Sequence, residues 1–183
     1  MPDPKVLLRH TMHKLWTEQG LWMRAYLVAT LAGTPDASEA ANRLLRTPED
    51  IGNAIAPFYG VETGQKLTDL LKAHIQIAFD LIEAAKSDNQ SKLETAKKRW
   101  HENAVEFATL LNKANPNWRT QSLVDTWDRN LSMTIDEISA RQQKNWKDDI
   151  IAADRNLDVM MTIGEGFATG IIQQFPAKFA AKF

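Results

Sequence analysis

Cysteine is absent from the chain, which excludes disulfides, thiolate zinc sites, iron–sulfur clusters and cysteine nucleophiles. Glycine and proline are scarce, at 8 and 7 of 183 residues, and with 44% hydrophobic and 25% charged residues the balance is globular rather than disordered or fibrous. No sign of charge predominates. The 22 Lys plus Arg face 23 Asp plus Glu, and a net charge of -1 supplies no field to steer nucleic acid or an anionic membrane, so no nucleic-acid partner is expected. No stretch of about 18 apolar residues occurs, so no membrane span is expected. The first residues, Met1-Pro2-Asp3-Pro4-Lys5, lack a basic region followed by an apolar core and a cleavage site. A cytoplasmic location is the expectation.

Motifs that would name a chemistry are also missing. There is no Gly-rich phosphate loop, no zincin signature and no Gly-x-Ser-x-Gly elbow. The Glu-x-x-His pairs of a di-iron carboxylate bundle are absent too, and none of the four histidines has His or Glu four residues later. His10 and His13 could present two imidazoles on one helical face, but beside Arg9 and Lys14 they read more simply as solvent-facing. No catalytic residue is identified, and the sequence leans away from an enzyme.

What is present is helical periodicity. Leu8, Met12, Leu15, Trp22 and Tyr26 recur at steps of three, four and seven, which lines one face of a helix over 5–32. Gly33-Thr34-Pro35 stops it. Thr34-Pro35 and Thr47-Pro48-Glu49-Asp50 then read as starts of two short helices, 36–46 and 48–58. A strong stripe through Leu67, Leu71, Ile77 and Leu81 predicts a helix over 61–87. A Ser91–Glu94 capping box opens the next, with Trp100, Ala104, Phe107 and Leu111 on its stripe. Leu123, Trp127, Leu131 and Ile138 carry a fourth long helix over 120–144. Asn145, with Asp148 three residues on, caps a last one, whose stripe is read through Ile150, Ile151, Leu157, Met161, Ala168 and Ile171. Gly164, Gly166 and Gly170 weaken that helix and predict a close contact, a kink or a mobile end.

The fold class is therefore all-α: an up-and-down antiparallel bundle of four to five long helices, with a short two-helix insertion at 36–58 and a tail at 175–183. One domain, 1–183, is expected, of a size at which folding buries roughly 70% of the unfolded chain's surface. Trp16, Trp22, Trp100 and Trp127 lie at helical core positions, where packing is the ordinary use of an indole.

Each long stripe carries a polar residue where an apolar one is expected. His74 falls between Leu71 and Ile77, Gln19 between Leu15 and Trp22, and Asn103 between Trp100 and Phe107. Asn130 follows Trp127, while Asp154 and Asp158 lie between Ile151 and Met161. Burying each without a partner costs about 1 to 3 kcal/mol, so these groups must bond to one another, to water or to a ligand. One reading is a hydrogen-bonded network that fixes helix register with His74 as its hub. The other is a central polar pocket, lined by these six residues, that binds a small molecule or ion, with His74 and one aspartate titrating near neutral pH. A divalent metal held by His74 and Asp154 is a narrower form of the second. In a third reading the 36–58 segment and the Phe-rich tail dock a partner or a second copy, as in a homodimer.

Leu15-Trp16 with Trp22-Met23-Arg24, the string Asp50-Ile51-Gly52-Asn53-Ala54-Ile55, and Leu70-Leu71-Lys72-Ala73-His74-Ile75 form a recognisable set with Asn115-Pro116-Asn117-Trp118 and Gln174-Phe175-Pro176. In these strings, spread over nearly the whole chain, the sequence resembles a bacterial family of all-helical bundles of the ferritin-like, four-helix-bundle type with no established activity. In that family the positions of Gln19 and Asn130 are often histidine, while His74 matches directly. The resemblance implies an inward imidazole cluster that this chain has partly replaced with amides, and it implies no reaction.

Overall fold

Asp3 accepts the Lys5 amide at 2.8 Å and Pro4 occupies the first turn, which together start the first helix, α1 (Pro4–Ala32). It ends at Gly33, whose left-handed φ of 70° turns the chain out of the helix. The computed structural model describes residues 3–180, so of the expected tail positions 181–183 lie outside the described residues. Six further α-helices follow: α2 (Ala37–Leu44), α3 (Thr47–Tyr59), α4 (Val61–Lys86), α5 (Gln90–Ala114), α6 (Thr120–Gln142) and α7 (Trp146–Gln174). A short 3-10 turn, Pro176–Phe179, follows α7, and no strand occurs among the described residues.

The architecture is the expected helical bundle with five long helices and a two-helix insertion. Local starts differ in detail. Asn89, not Ser91, caps α5, accepting the Lys92 amide at 3.0 Å, because the left-handed Asp88 (φ 51°) ends the preceding turn and leaves Asn89 as the next acceptor. The Thr47 hydroxyl donates back to the Leu44 carbonyl at 2.8 Å and so ties α2 to α3 instead of capping α3. Asn145 caps α7 as expected, its side-chain oxygen accepting from the Asp148 amide.

Neighbouring long helices α1 and α7, α7 and α6, α6 and α5, and α5 and α4 run antiparallel, whereas α1 and α4, joined through the 36–58 segment, run parallel, with Tyr26 late in α1 packed on Phe79 late in α4, a departure from the all-antiparallel expectation. Pairings such as Arg24 with Asp149 and Arg9 with Glu165 set α1 against α7. The pair His74 and Asn103 sets α4 against α5, and Arg141 with Asp149 sets α6 against α7. The neighbours form a ring, α1–α7–α6–α5–α4, which closes back to α1 chiefly through α3. The 36–58 segment is thus a wall of the bundle. Phe179 is buried, its ring stacked on Phe58 of α3 at 5.9 Å, so the tail and the insertion dock on each other.

The apolar interior is in two parts. One contains Met12, Trp16, Leu71, Phe107, Trp127 and Phe167; the other contains Tyr26, Ile77, Leu81, Trp100 and Ile138. Among the described residues, no helix is long and apolar enough to cross a membrane.

Candidate functional site

Between the two apolar clusters lies a polar layer. Gln19, His74, Asn103 and Asn130 are all buried, and each falls on its helix between a residue of one cluster and a residue of the other. His74 Nδ1 is 3.0 Å from Asn103 Oδ1, and the Asn103 amide donates to the Leu70 carbonyl at 3.1 Å. Because that amide nitrogen is already donating outward, the oxygen faces the ring, and Nδ1 carries the proton. The ring packs against Trp100 at 4.2 Å and Trp127 at 4.4 Å. Burial among these indoles holds the His74 pKa down to about 4, with hydrogen bonds to Asn103 and Asn130 opposing the shift only in part. The imidazole is neutral at neutral pH, against the expectation that it titrates there.

From Asn130 the layer continues through residues the sequence reading passed over. The Asn130 amide donates to Asn156, which faces Thr134 and Glu137. Glu137 accepts from Arg24, Arg24 holds both oxygens of Asp149, and Arg141 shares the Oδ2 of that carboxylate at 2.8 Å. Burial pushes the Glu137 carboxyl above its ordinary range, with Arg24 pulling the other way. The Arg24 hydrogen bond holds Asp149 below its own range. These four charges sum to zero, which is how ions persist at 2% and 1% exposure for Glu137 and Asp149.

Two of the six expected site residues are elsewhere. Asp154 and Asp158 lie on the exposed face of α7 and are not brought to His74. The stripe that placed them inward was out of phase: Ile150, Ile151 and Met161 are exposed, while Asp149, Ala152, Ala153 and Met160 point in. The supposed His74 and Asp154 metal pair is therefore not assembled. Among the described residues no group of three or more His, Asp or Glu side chains is placed to hold a metal ion. Gln19 is inward but takes a separate partner, the Thr47 hydroxyl at 3.4 Å. His10 is exposed, whereas His13 meets Glu165 at 3.1 Å. Burial opposes ionisation of Glu165, but the Thr169 hydroxyl and Arg9 outweigh it and hold its carboxyl low.

A cleft with an aromatic lining lies apart from the layer around His74. Of about 300 Å³, it lies between the first half of α6 and the second half of α7, and none of the six expected residues lines it. Arg119, Ser122, Leu123, Thr126 and Trp127 face it from α6 at helical spacing, and Thr162, Gly166 and Gly170 face it from α7. Trp118, Trp127 and Phe167 line its floor, largely covered by their own packing, with Trp118 and Phe167 centroids 5.1 Å apart.

Glycines make this geometry. The Trp118 indole lies where a β-carbon on residue 170 would stand, and its Nε1 donates to the Gly166 carbonyl at 3.0 Å. At Gly166 a β-carbon would meet nothing within 4 Å, so that position is a gap in the cleft wall. Gly164, by contrast, is packed on the backbone of Met12 in α1. The three glycines thus answer to close contact and to an opening, and α7 runs unbroken through them. Trp127 joins the two regions: it borders the cleft and also packs on His74. The signal in the sequence was the glycine set opposite a lone tryptophan after Asn115-Pro116-Asn117, but a pairing of residues 48 apart is not visible in helical periodicity. Comparison with family profiles, with curated proteins and with solved structures finds no match to this chain.

Proposed function

We propose that this protein is a small-molecule-binding helical bundle whose site is the α6–α7 cleft, with Trp118, Trp127 and Phe167 as the surface on which an apolar or aromatic body lies. The observation that carries the reading is a concave space of about 300 Å³ with an aromatic floor and hydroxyl and amide groups at its edge. The polar layer behind it serves a different end. Its ring nitrogen, amides and ions partner one another, and they fix the register of α1, α4, α5, α6 and α7 so that Trp127 is held in place. Metal at His74, suggested by the ferritin-like resemblance, is less well supported, since that ring is committed to Asn103 and enclosed by two indoles.

Indole is the probe for the test, followed by amide and indole N–H shifts in ¹H–¹⁵N spectra of the full chain. Saturable shifts are expected at Gly166 and at the Trp118 and Trp127 indoles. Gly166→Leu starts a side chain into the gap from a β-carbon that meets nothing within 4 Å, and it should abolish the shifts while leaving the thermal midpoint no lower than that of the parent. Absence of saturable binding at millimolar indole, or unchanged binding in the Leu variant, would refute the reading.

A further inference from the structure

The chemistry of the cleft's edge points to the kind of molecule it takes, an inference that rests on the binding role of the cleft. Of the fourteen residues that line it, Arg119 alone carries a formal charge, and no carboxylate is among them. Arg119 is exposed and takes part in none of the ion pairs found among the described residues. Arg9, Arg43, Lys72 and Arg99 each meet a carboxylate, while Arg119 is among the surface cations left to solvent, and it differs from the others of that group in lining this cleft. Arg119 is also the residue from which α6 starts. No side chain caps that start, and its first turn holds no acidic residue, so the amide dipoles add to the guanidinium's positive potential at the same end of the cleft. Ser122, one turn in, lines the cleft and offers a hydroxyl donor beside them.

Apolar floor and positive end together define an amphipathic anion. We infer that the cleft takes a free aromatic carboxylic acid of one- or two-ring size, its ring on Trp118, Trp127 and Phe167 and its carboxylate on Arg119 at the head of α6. A planar guanidinium presents a fork of donors that matches a carboxylate, and partial exposure limits the gain to about tenfold in affinity. A neutral ligand of the same shape keeps the floor and loses the head.

The test compares two probes that share a body, indole-3-acetate and indole-3-acetamide, titrated into the full chain by calorimetry at low and moderate salt. The acid should bind about tenfold tighter than the amide, and the margin should shrink as salt rises. In Arg119→Gln, whose exposed position leaves the fold intact by circular dichroism and melting, the acid should lose most of its margin over the amide, the helix dipole alone remaining, and the amide should be unchanged. Equal affinities for the two probes in the parent chain, or an acid preference undiminished in Arg119→Gln, overturns the inference while leaving the cleft a binding site. Failure of both probes to bind removes the cleft reading itself, and this inference with it.

Discussion

His74 has a ring nitrogen on Asn103 and indoles packed against it, and burial sets its pKa at about 4. An unfolded imidazole titrates near 6.5, so between these values the unfolded chain takes a proton that the folded chain refuses. The resulting stability is present in full above about pH 6.5 and is lost as the pH falls to about 4, a change of about 3 kcal/mol. Glu137 has the opposite sign: its pKa lies above 4.5, so its contribution is greatest below that value and declines as the pH rises through the folded value. Asp149, held low, acts only below about its ordinary 3.8. Urea unfolding at pH 4, 5 and 6.5 should therefore show a slope that flattens in His74→Gln. An unchanged slope in that variant would show that the imidazole is not what titrates. Single residues of this type were legible because an amide or imidazole interrupts an apolar stripe. Gln19, His74, Asn103 and Asn130 were found that way, and Arg24, Glu137 and Asp149 were not, because three charged side chains in a core are tolerable only through partners on other helices.

Among the elements, α7 was the hardest to read. Its inward face carries Asp149, two alanines and glycines, while Ile150 and Ile151 face outward, so the strongest apolar residues at its start mark the wrong side. The other long helices present their largest apolar residues inward, and for them hydrophobic period and burial agree. Two of the α7 glycines, four residues apart, should respond to alanine in opposite directions. Gly166→Ala meets open space and gains helix propensity, which should add up to about 1 kcal/mol and raise the melting point by about 2–4 °C. Gly170→Ala drives a methyl group into the Trp118 indole and breaks its bond to the Gly166 carbonyl. That variant should lose about 2–3 kcal/mol and lose the Trp118 indole N–H shift from its parent position. Parallel melting curves of the two variants check both signs; equal effects would mean that Trp118 is not seated against α7 as described.

At the scale of the whole molecule, the bundle is two apolar cores joined by a polar layer, and the layer decides how the helices slide past one another. Leucine and isoleucine on antiparallel helices fit several registers about equally well, whereas Arg24 on α1 reaches Asp149 on α7 and Glu137 on α6 in one register alone. The position of the cleft follows from that choice, because the α6–α7 offset that pairs Arg141 with Asp149 at one end places Trp118 over Gly170 at the other. Arg24→Met keeps most of the volume and removes the charge, leaving Glu137 and Asp149 facing each other in the interior. Loss of a buried partner costs about 3 kcal/mol, which in a chain of this size corresponds to a melting point lower by about 6–12 °C. Without Arg24, the Glu137 pKa rises further above 4.5, so the variant's deficit should narrow as the pH is lowered toward 4.5, while the His74 contribution is lost from parent and variant alike. Melting points taken across that range should converge at the acid end. If the gap between parent and variant stays constant with pH, Arg24 is acting through packing alone, and the polar layer does not set the register by charge.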